Sequence, residues 1–507
     1  ATTIGGSSAG AGNLISANGG FGVVVHAGAS VTAVLGNLIG TNAAGASPLP
    51  NQLGGVLIDQ ATGTVLGDNV ISGNTGPGVL VTGPSTSNTQ IFNNRVGVNQ
   101  AGAAALGNSG QGLYILGAPG VSVLGNVISG NSQDGVLIEA FEATANLLAG
   151  NFIGTNALGD ASLGNLGAGV KIFDAAGNIV GQVGSGNVIS GNGGDGVLIQ
   201  GTGATDNQVV DNRIGTNLGG SFAIANQLSG IRIDQGRSNI IGGANAGNVI
   251  SGNLLDGVRI TDAGGGAALA NVVAGNAIGT SLDRLLAVPN RLVGVRVENA
   301  SSNTIGGGAV GEGNLVAGNL QDGISITAFM SFQAGANLVR GNTVGLNGVN
   351  AAVPNGGAGL RILAATSTTV RDNVLSGNVA QGLVLDGASG TIVRANFLGV
   401  ARDGVTARGN GGDGVAILNA GSNNTIGETT PGSTNIIAFN TGAGIFVDVG
   451  GVGNSIFGNS IVSNGGLGIL LAAGVFNPSV PVTITSARVD AAGATIEGSI
   501  NAAPNTH

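Results

Sequence analysis

Five aspartates stand immediately before a glycine at one recurrent place in this chain: Asp134, Asp195, Asp256, Asp322 and Asp413. A series of carboxylates could hold calcium ions, and two on one face could serve as acid and base on a sugar. Spacing argues against a shared ion. These aspartates are read as lying in the short repeat units, every second unit, which sets neighbouring carboxylates about 10 Å apart. The glycine-rich nonapeptide that binds calcium in other repeat proteins is also absent. The expected role is structural: an Asx-type turn whose carboxylate accepts backbone N–H groups. Histidine adds little, with His26 at a strand edge and His507 at the terminus. We assign no catalytic group, no metal ligand and no cofactor from these residues.

A second constellation follows those glycines. A phrase of Gly, an apolar residue, a variable residue and another apolar residue runs from Gly22-Val-Val-Val25 to Gly468-Ile-Leu-Leu471. Strand alternation points the apolar pair inward and the variable residue outward. The outward residue is Leu57, Leu80, Tyr114 and Leu137 early in the chain, then Lys171, Arg232, Arg259, Arg296 and Arg361. An acid often stands two residues later on the same face, as with Arg232/Asp234 and Arg296/Glu298. Such pairs are surface ion pairs worth under about 1 kcal/mol each. The basic part of the strip is a candidate face for an acidic glycan or a partner module. The row Leu57, Leu80, Tyr114 and Leu137 is the better interface candidate, because contiguous exposed apolar surface marks contacts.

The elements that carry these residues are short strands. Asn-x-Ile-Ser-Gly-Asn recurs at 69–74, 126–131, 187–192 and 248–253, and a second Asn phrase ending in Ile-Gly or Val-Gly recurs at 178–181, 239–242, 303–306 and 424–427. Three strands per unit, separated by Gly and Asn turns, leave no room for helices, so strands of successive units must stack in parallel. Inward asparagines at equal positions then form ladders bonded from coil to coil. Steps between the Gly anchors alternate, 33, 23, 34, 23, 34, 27 and 34 residues at first. Each long step carries Asn-x-Ile-Gly-Thr-Asn and an added loop such as 157–165, which predicts a ridge of loops at every second coil. The chain therefore reads as all-β: a parallel β-helix of about sixteen coils over 1–474, right-handed by the crossover rule. At about 4.8 Å per coil the rod is on the order of 75 Å long. Residues 475–507 read differently, as a short C-terminal β-hairpin segment that opens a β-sandwich module or caps the last coil.

Composition narrows the function classes. Charged residues are 8% and apolar ones 42% of the 507, the reverse of a disordered chain. A net charge of −9 without a basic face argues against nucleic acid as a partner. No apolar run is long enough to span a membrane. Cysteine is absent, which excludes disulfides and thiolate metal sites. Lys171 is the single lysine, so trypsin-type proteases find few targets, a trait suited to an exposed extracellular protein. The first residues already look like the middle of a repeat, and the chain reads as part of something longer.

The recurrent phrases NVISGN, DGVLI, NxIGTN and SNTIGG resemble the repeats of large secreted or surface-anchored bacterial β-helix proteins with a pectate-lyase-like shape. The resemblance covers roughly 1–472 and implies the fold; that shape carries lyases, hydrolases, epimerases, phage spikes and plain adhesins alike. The Asn-Thr-Asp, Asp-Asp and Gly-His-Gly of a pectinase-like hydrolase are missing, as is an epimerase-like Asp-Pro-His. The resemblance therefore implies a structural or adhesive extracellular stalk, at a cell surface or in a fibre, with a polysaccharide-active enzyme or glycan-binding module as the alternative. Expected partners are other copies or segments of the parent protein, through open strand edges, and surface glycans.

Overall fold

The computed structural model describes residues 2–8, 10–262, 268–329 and 334–472, and the backbone of 482–490 and 493–500. Three parallel sheets of sixteen strands each run its length, and every coil contributes one strand to each sheet. The first coil comprises Thr2–Gly5, Leu14–Ile15 and Phe21–Val25; the eighth, Gln208–Val209, Arg213–Ile214 and Ile231–Asp234; the sixteenth, Ser455–Ile456, Ser460–Val462 and Ile469–Leu471. Coils are numbered in chain order below. The protein is a right-handed parallel β-helix, as the repeats predict. Val482–Asp490 and Gly493–Ile500 pair antiparallel, the C-terminal hairpin expected from their alternation. The rest of the segment 475–507, His507 included, lies outside the described residues.

Alternation writes the core. In coil nine, Ile241, Ile250, Val258 and Ile260 point inward with no exposure, and equivalent residues above and below join them in one apolar column from Val23 to Val447. The anchor glycines are required by close approach. A Cβ on Gly196 would lie 2.6 Å from the Gly230 carbonyl oxygen of the next coil and 2.6 Å from Ile214 Cγ2. Any side chain there would force two coils apart.

Asparagines hold the corners. Between the first and second sheets, each amide from Asn13 to Asn459 hydrogen-bonds the next; Asn187 to Asn212 is 2.8 Å and Asn212 to Asn248 is 3.0 Å. A second ladder, Asn18 to Asn464, joins the second and third sheets. Each amide also satisfies backbone groups: Asn212 donates to Val180 O and Val210 O while its Oδ1 accepts the Asn187 N–H. A third ladder, between the third and first sheets, is partial. It runs from Asn146 through Asn178, Asn207, Asn239 and Asn271 to Asn303 and resumes at Asn424 and Asn454. Thr64, Thr89, Thr368 and Thr391 stand at the same corner, and each buries a hydroxyl that has no partner.

The added loops are hairpins at 41–48, 98–105, 155–162, 216–223, 280–287, 346–352 and 400–407, one in every even coil from the second to the fourteenth. Each is two coils tall. The Gln100 N–H donates to Gly45 O, Ala157 to Gly102, Leu218 to Gly159, Leu282 to Gly220 and Gly348 to Arg284. A coil lying between two hairpins has no space for its own: Gly73 sits against Pro48 of one hairpin and donates to Leu106 O behind the next. The short-coil serine of Asn-x-Ile-Ser-Gly-Asn ties this ridge down. Ser190 Oγ donates to Thr216 O at 2.7 Å and accepts from the Gly215 N–H at 3.0 Å, at the root of the next hairpin.

Candidate functional site

Parallel register brings the outward residues into a single file on the third sheet. Coil by coil it runs Val24, Leu57, Leu80, Tyr114, Leu137, Lys171, Leu198, Arg232, Arg259, Arg296, Ser325 and Arg361. The apolar part is less open than the sequence suggests. Leu57, Leu80 and Tyr114 are half-buried, and Leu137 is only 8% exposed, because flanking side chains close over a flat sheet face. Tyr114 donates its hydroxyl to Glu139 at 2.5 Å; burial first, then the adjacent carboxylate, pushes the phenol well above its ordinary range. Lys171 Nζ stands 5.2 Å from the Phe173 ring centre, a cation–π contact along the same strand.

The basic part of the file is neutralised from neighbouring coils. Arg232 Nε meets Asp195 at 3.1 Å, Arg296 Nε meets Asp256 at 3.0 Å, and Arg361 Nε meets Asp322 at 2.9 Å. Arg259 pairs with Glu298 at 2.8 Å, and Arg361 also approaches Asp386 at 3.6 Å.

The recurrent aspartates require a correction. They do not close Asx turns; their Oδ1 atoms accept N–H groups from the following coil. Asp134 takes Ala168, Asp195 takes Ser229, Asp256 takes Val293, Asp322 takes Ala358 and Asp413 takes Ala443, at 2.7 to 3.0 Å. The Oδ2 atoms of Asp195, Asp256 and Asp322 accept the arginines. Each of these three carboxylates is thus a two-pronged clasp between coils. Asp413 also lies in a long coil, the fourteenth, and not in a short one. Burial raises the carboxyls of Asp134 and Asp195 above the usual range despite these bonds.

This arrangement lacks the geometry of acid–base chemistry. The clasp aspartates recur at two-coil intervals, about 10 Å apart, and their oxygens already face fixed donors. His26 Nδ1 bonds Asp59 at 2.9 Å on an exposed edge, apart from the clasps. Among the described residues no group of three or more His, Cys, Asp and Glu is placed to hold a metal.

The concave surface lies elsewhere, on the outer side of the second sheet, where the sequence reading placed nothing. Cavities of about 590 and 390 Å³ adjoin through Asp372 and Arg402 near the C-terminal end of the solenoid. A third, of about 350 Å³, is lined by Asp68, Arg95 and Phe152. Arg340, Arg371 and Arg394 share one register position in three successive strands of the first sheet, but of these only Arg340 lines the adjoining cavities.

Comparison with known proteins agrees with this architecture. The right-handed β-helix region profile matches residues 350–481, and that of the periplasmic copper-binding protein NosD matches 50–172. No curated protein matches the chain. Among solved structures, the Dettilon tailspike protein gp208 is 15% identical, with a TM-score of 0.38, over 80% of this chain and 68% of its own. The periplasmic alginate epimerase AlgG is 13% identical, with a TM-score of 0.32, over 87% of this chain and 77% of its own. A mannuronan C-5 epimerase A-module from Azotobacter vinelandii is 13% identical, with a TM-score of 0.27, over 89% and 90%. At these values the likenesses carry nothing about activity. The residues present also do not fit copper: with no cysteine, one methionine and two histidines, the chain lacks a soft or imidazole ligand set. No helix among the described residues is long and apolar enough to cross a membrane.

Proposed function

We propose that this right-handed parallel β-helix protein is a non-catalytic structural stalk that works outside the cytoplasm, at a cell surface or within an extracellular fibre. The observation that carries this reading is the use made of its carboxylates. Asp195, Asp256 and Asp322 hold the coil that follows them with both oxygens, so the strip with the most ionisable groups is a seam between coils. Two unbroken asparagine ladders and a bonded ridge of hairpins add stiffness along the same axis. The periplasmic name attached to the profile over 50–172 agrees with a place outside the cytoplasm. Its partners are other copies or segments of the same parent protein, and surface glycans.

Incubation with polygalacturonate and alginate tests the reading. We expect no new reducing ends, no unsaturated products and no change in uronate stereochemistry. Turnover that disappears in Asp256→Asn, with the coil structure retained by circular dichroism, would overturn it.

A further inference from the structure

The two adjoining cavities form one groove on the outer face of the second sheet. Thr343 floors one end; Phe397, Ile436 and Ser460 floor the other. Val374 stands between Thr343 and Phe397 in the register and is covered by Ala401, so the groove narrows there without closing. One wall is the hairpin 400–407, which carries Arg402. The other includes the glycine-rich stretch 307–313 and Arg340. A Cβ on Gly308 would fall 2.3 Å from Arg340 Nη1, so a larger residue there would have to displace the guanidinium.

Several features set this stretch apart from the regular repeat. The hairpin ladder changes here: the hairpin 346–352 is one residue shorter than its predecessor 280–287. The next hairpin meets it through Arg408 Nε and Asn350 O at 2.5 Å, with no tip-to-tip backbone bond. Charge also departs from the rest of the molecule. Residues 340–408 hold six arginines and three aspartates in a chain of net charge −9. Within this stretch Arg340 and Arg371 share Asp372, which lines the groove, Arg361 meets Asp322 and Arg394 meets Glu428. Arg402 has no carboxylate partner among the described residues; it donates to Gly341 O at 3.2 Å and Thr343 Oγ1 at 3.4 Å. The adjacent Asp403 is engaged by the N–H groups of Val405 and Thr406 and by the Thr406 hydroxyl. An exposed guanidinium without a counter-ion, beside a half-buried aromatic ring, suits an anionic ligand with a flat apolar face. The cavity volumes fall within the roughly 300–1,000 Å³ typical of small-ligand sites. Strand addition by an acidic peptide is disfavoured along most of the groove, because the strands holding Thr343, Phe397 and Ile436 are paired on both sides; only the sixteenth-coil strand with Ser460 stands at the end of the sheet.

We propose that this groove binds a short carboxylate-bearing oligosaccharide, with Arg402 holding a carboxylate and Phe397 and Ile436 lying under an adjacent ring. The site deepens the surface-glycan partnership proposed above and rests on that reading. Failure to bind leaves the stalk intact, and binding without turnover is compatible with it.

Calorimetric titration of the whole chain with a short oligogalacturonate is the test, with a neutral malto-oligosaccharide and an oligoglutamate peptide for comparison. Oligogalacturonate should bind, more weakly as salt rises; the neutral sugar should not bind, and the peptide should bind less tightly. Arg402→Gln should weaken binding about fivefold, while Arg259→Gln, on the other face, leaves it unchanged. Arg402→Lys retains the charge and should recover part of the affinity, which separates a lost contact from a damaged fold. No binding to the wild type, equal affinity for oligoglutamate, or less than about a twofold effect of Arg402→Gln would each overturn the proposal.

Discussion

Completing the third asparagine ladder should stabilise the protein. Thr368 and Thr391 occupy consecutive rungs between Asn337 and Asn424, and both hydroxyls are buried without a partner. The Asn424 Oδ1 already accepts the Thr391 N–H at 2.9 Å, so the upper rung is in position to receive an amide as well. In the double variant Thr368→Asn/Thr391→Asn, three amide–amide links can form: 337 to 368, 368 to 391, and 391 to 424. Each buried hydrogen bond contributes about 1 kcal/mol net, and two unsatisfied hydroxyls are removed. Against this stands the lost packing of two threonine methyl groups, about 1.6 kcal/mol in all. A net gain of about 2 kcal/mol is expected, read as a raised guanidinium midpoint by circular dichroism. Each single variant should gain less than half, because the central link needs both amides. A double variant no more stable than the wild type, or gains that simply add, would refute the reasoning.

Three further outcomes follow from the same contacts. Asn212→Leu leaves the Asn187 N–H and one Asn187 amide hydrogen without an acceptor at full burial, so it should cost about 3 kcal/mol, seen as a lowered denaturation midpoint. The clasp at Asp256 should respond asymmetrically: Arg296→Ala strands a carboxylate that is 1% exposed, at about 3 kcal/mol, whereas Asp256→Asn keeps the Val293 acceptor and costs about 1. Equal costs would contradict that order. Burial holds the Asp134 carboxyl above its ordinary range, so the folded state binds its proton more readily than the unfolded state. Its contribution to stability is fullest below the unfolded value and falls as pH rises through the folded one. Asp134→Asn should therefore melt above the wild type at neutral pH, with the gap closing towards about pH 4.

The repeat was legible because its causes are local. Gly196 and its counterparts are fixed by contact with the next coil, and the side chains of Asn187 and Asn212 by four and five hydrogen bonds at a corner, so the same letters return in every coil. Alternation within one strand was enough to place Leu57, Tyr114 and Arg296 on one outer face. The clasps were not legible in this way. Asp256 meets Arg296 across forty residues, and that distance in sequence depends on the intervening hairpin, so a local turn looked the simpler use of an aspartate before glycine. The alternation of long and short steps was visible, but its cause, a hairpin two coils tall, needs bonds such as Leu218 to Gly159. The groove escaped notice because Thr343 and Phe397 stand at the variable position of the Asn phrase two coils apart, and Arg402 belongs to a hairpin outside any phrase.

Hydrogen exchange along the whole chain tests the stacked-coil architecture most directly. The ladder asparagines donate their own N–H groups to the next amide, as Asn151 does to Asn187 and Asn248 to Asn276. Peptides covering the central coils should therefore keep their amide protons until the solenoid opens as a unit, with the first and sixteenth coils exchanging earliest. Fast exchange in the middle coils, or protection broken into separate blocks along the chain, would contradict a continuous bonded stalk.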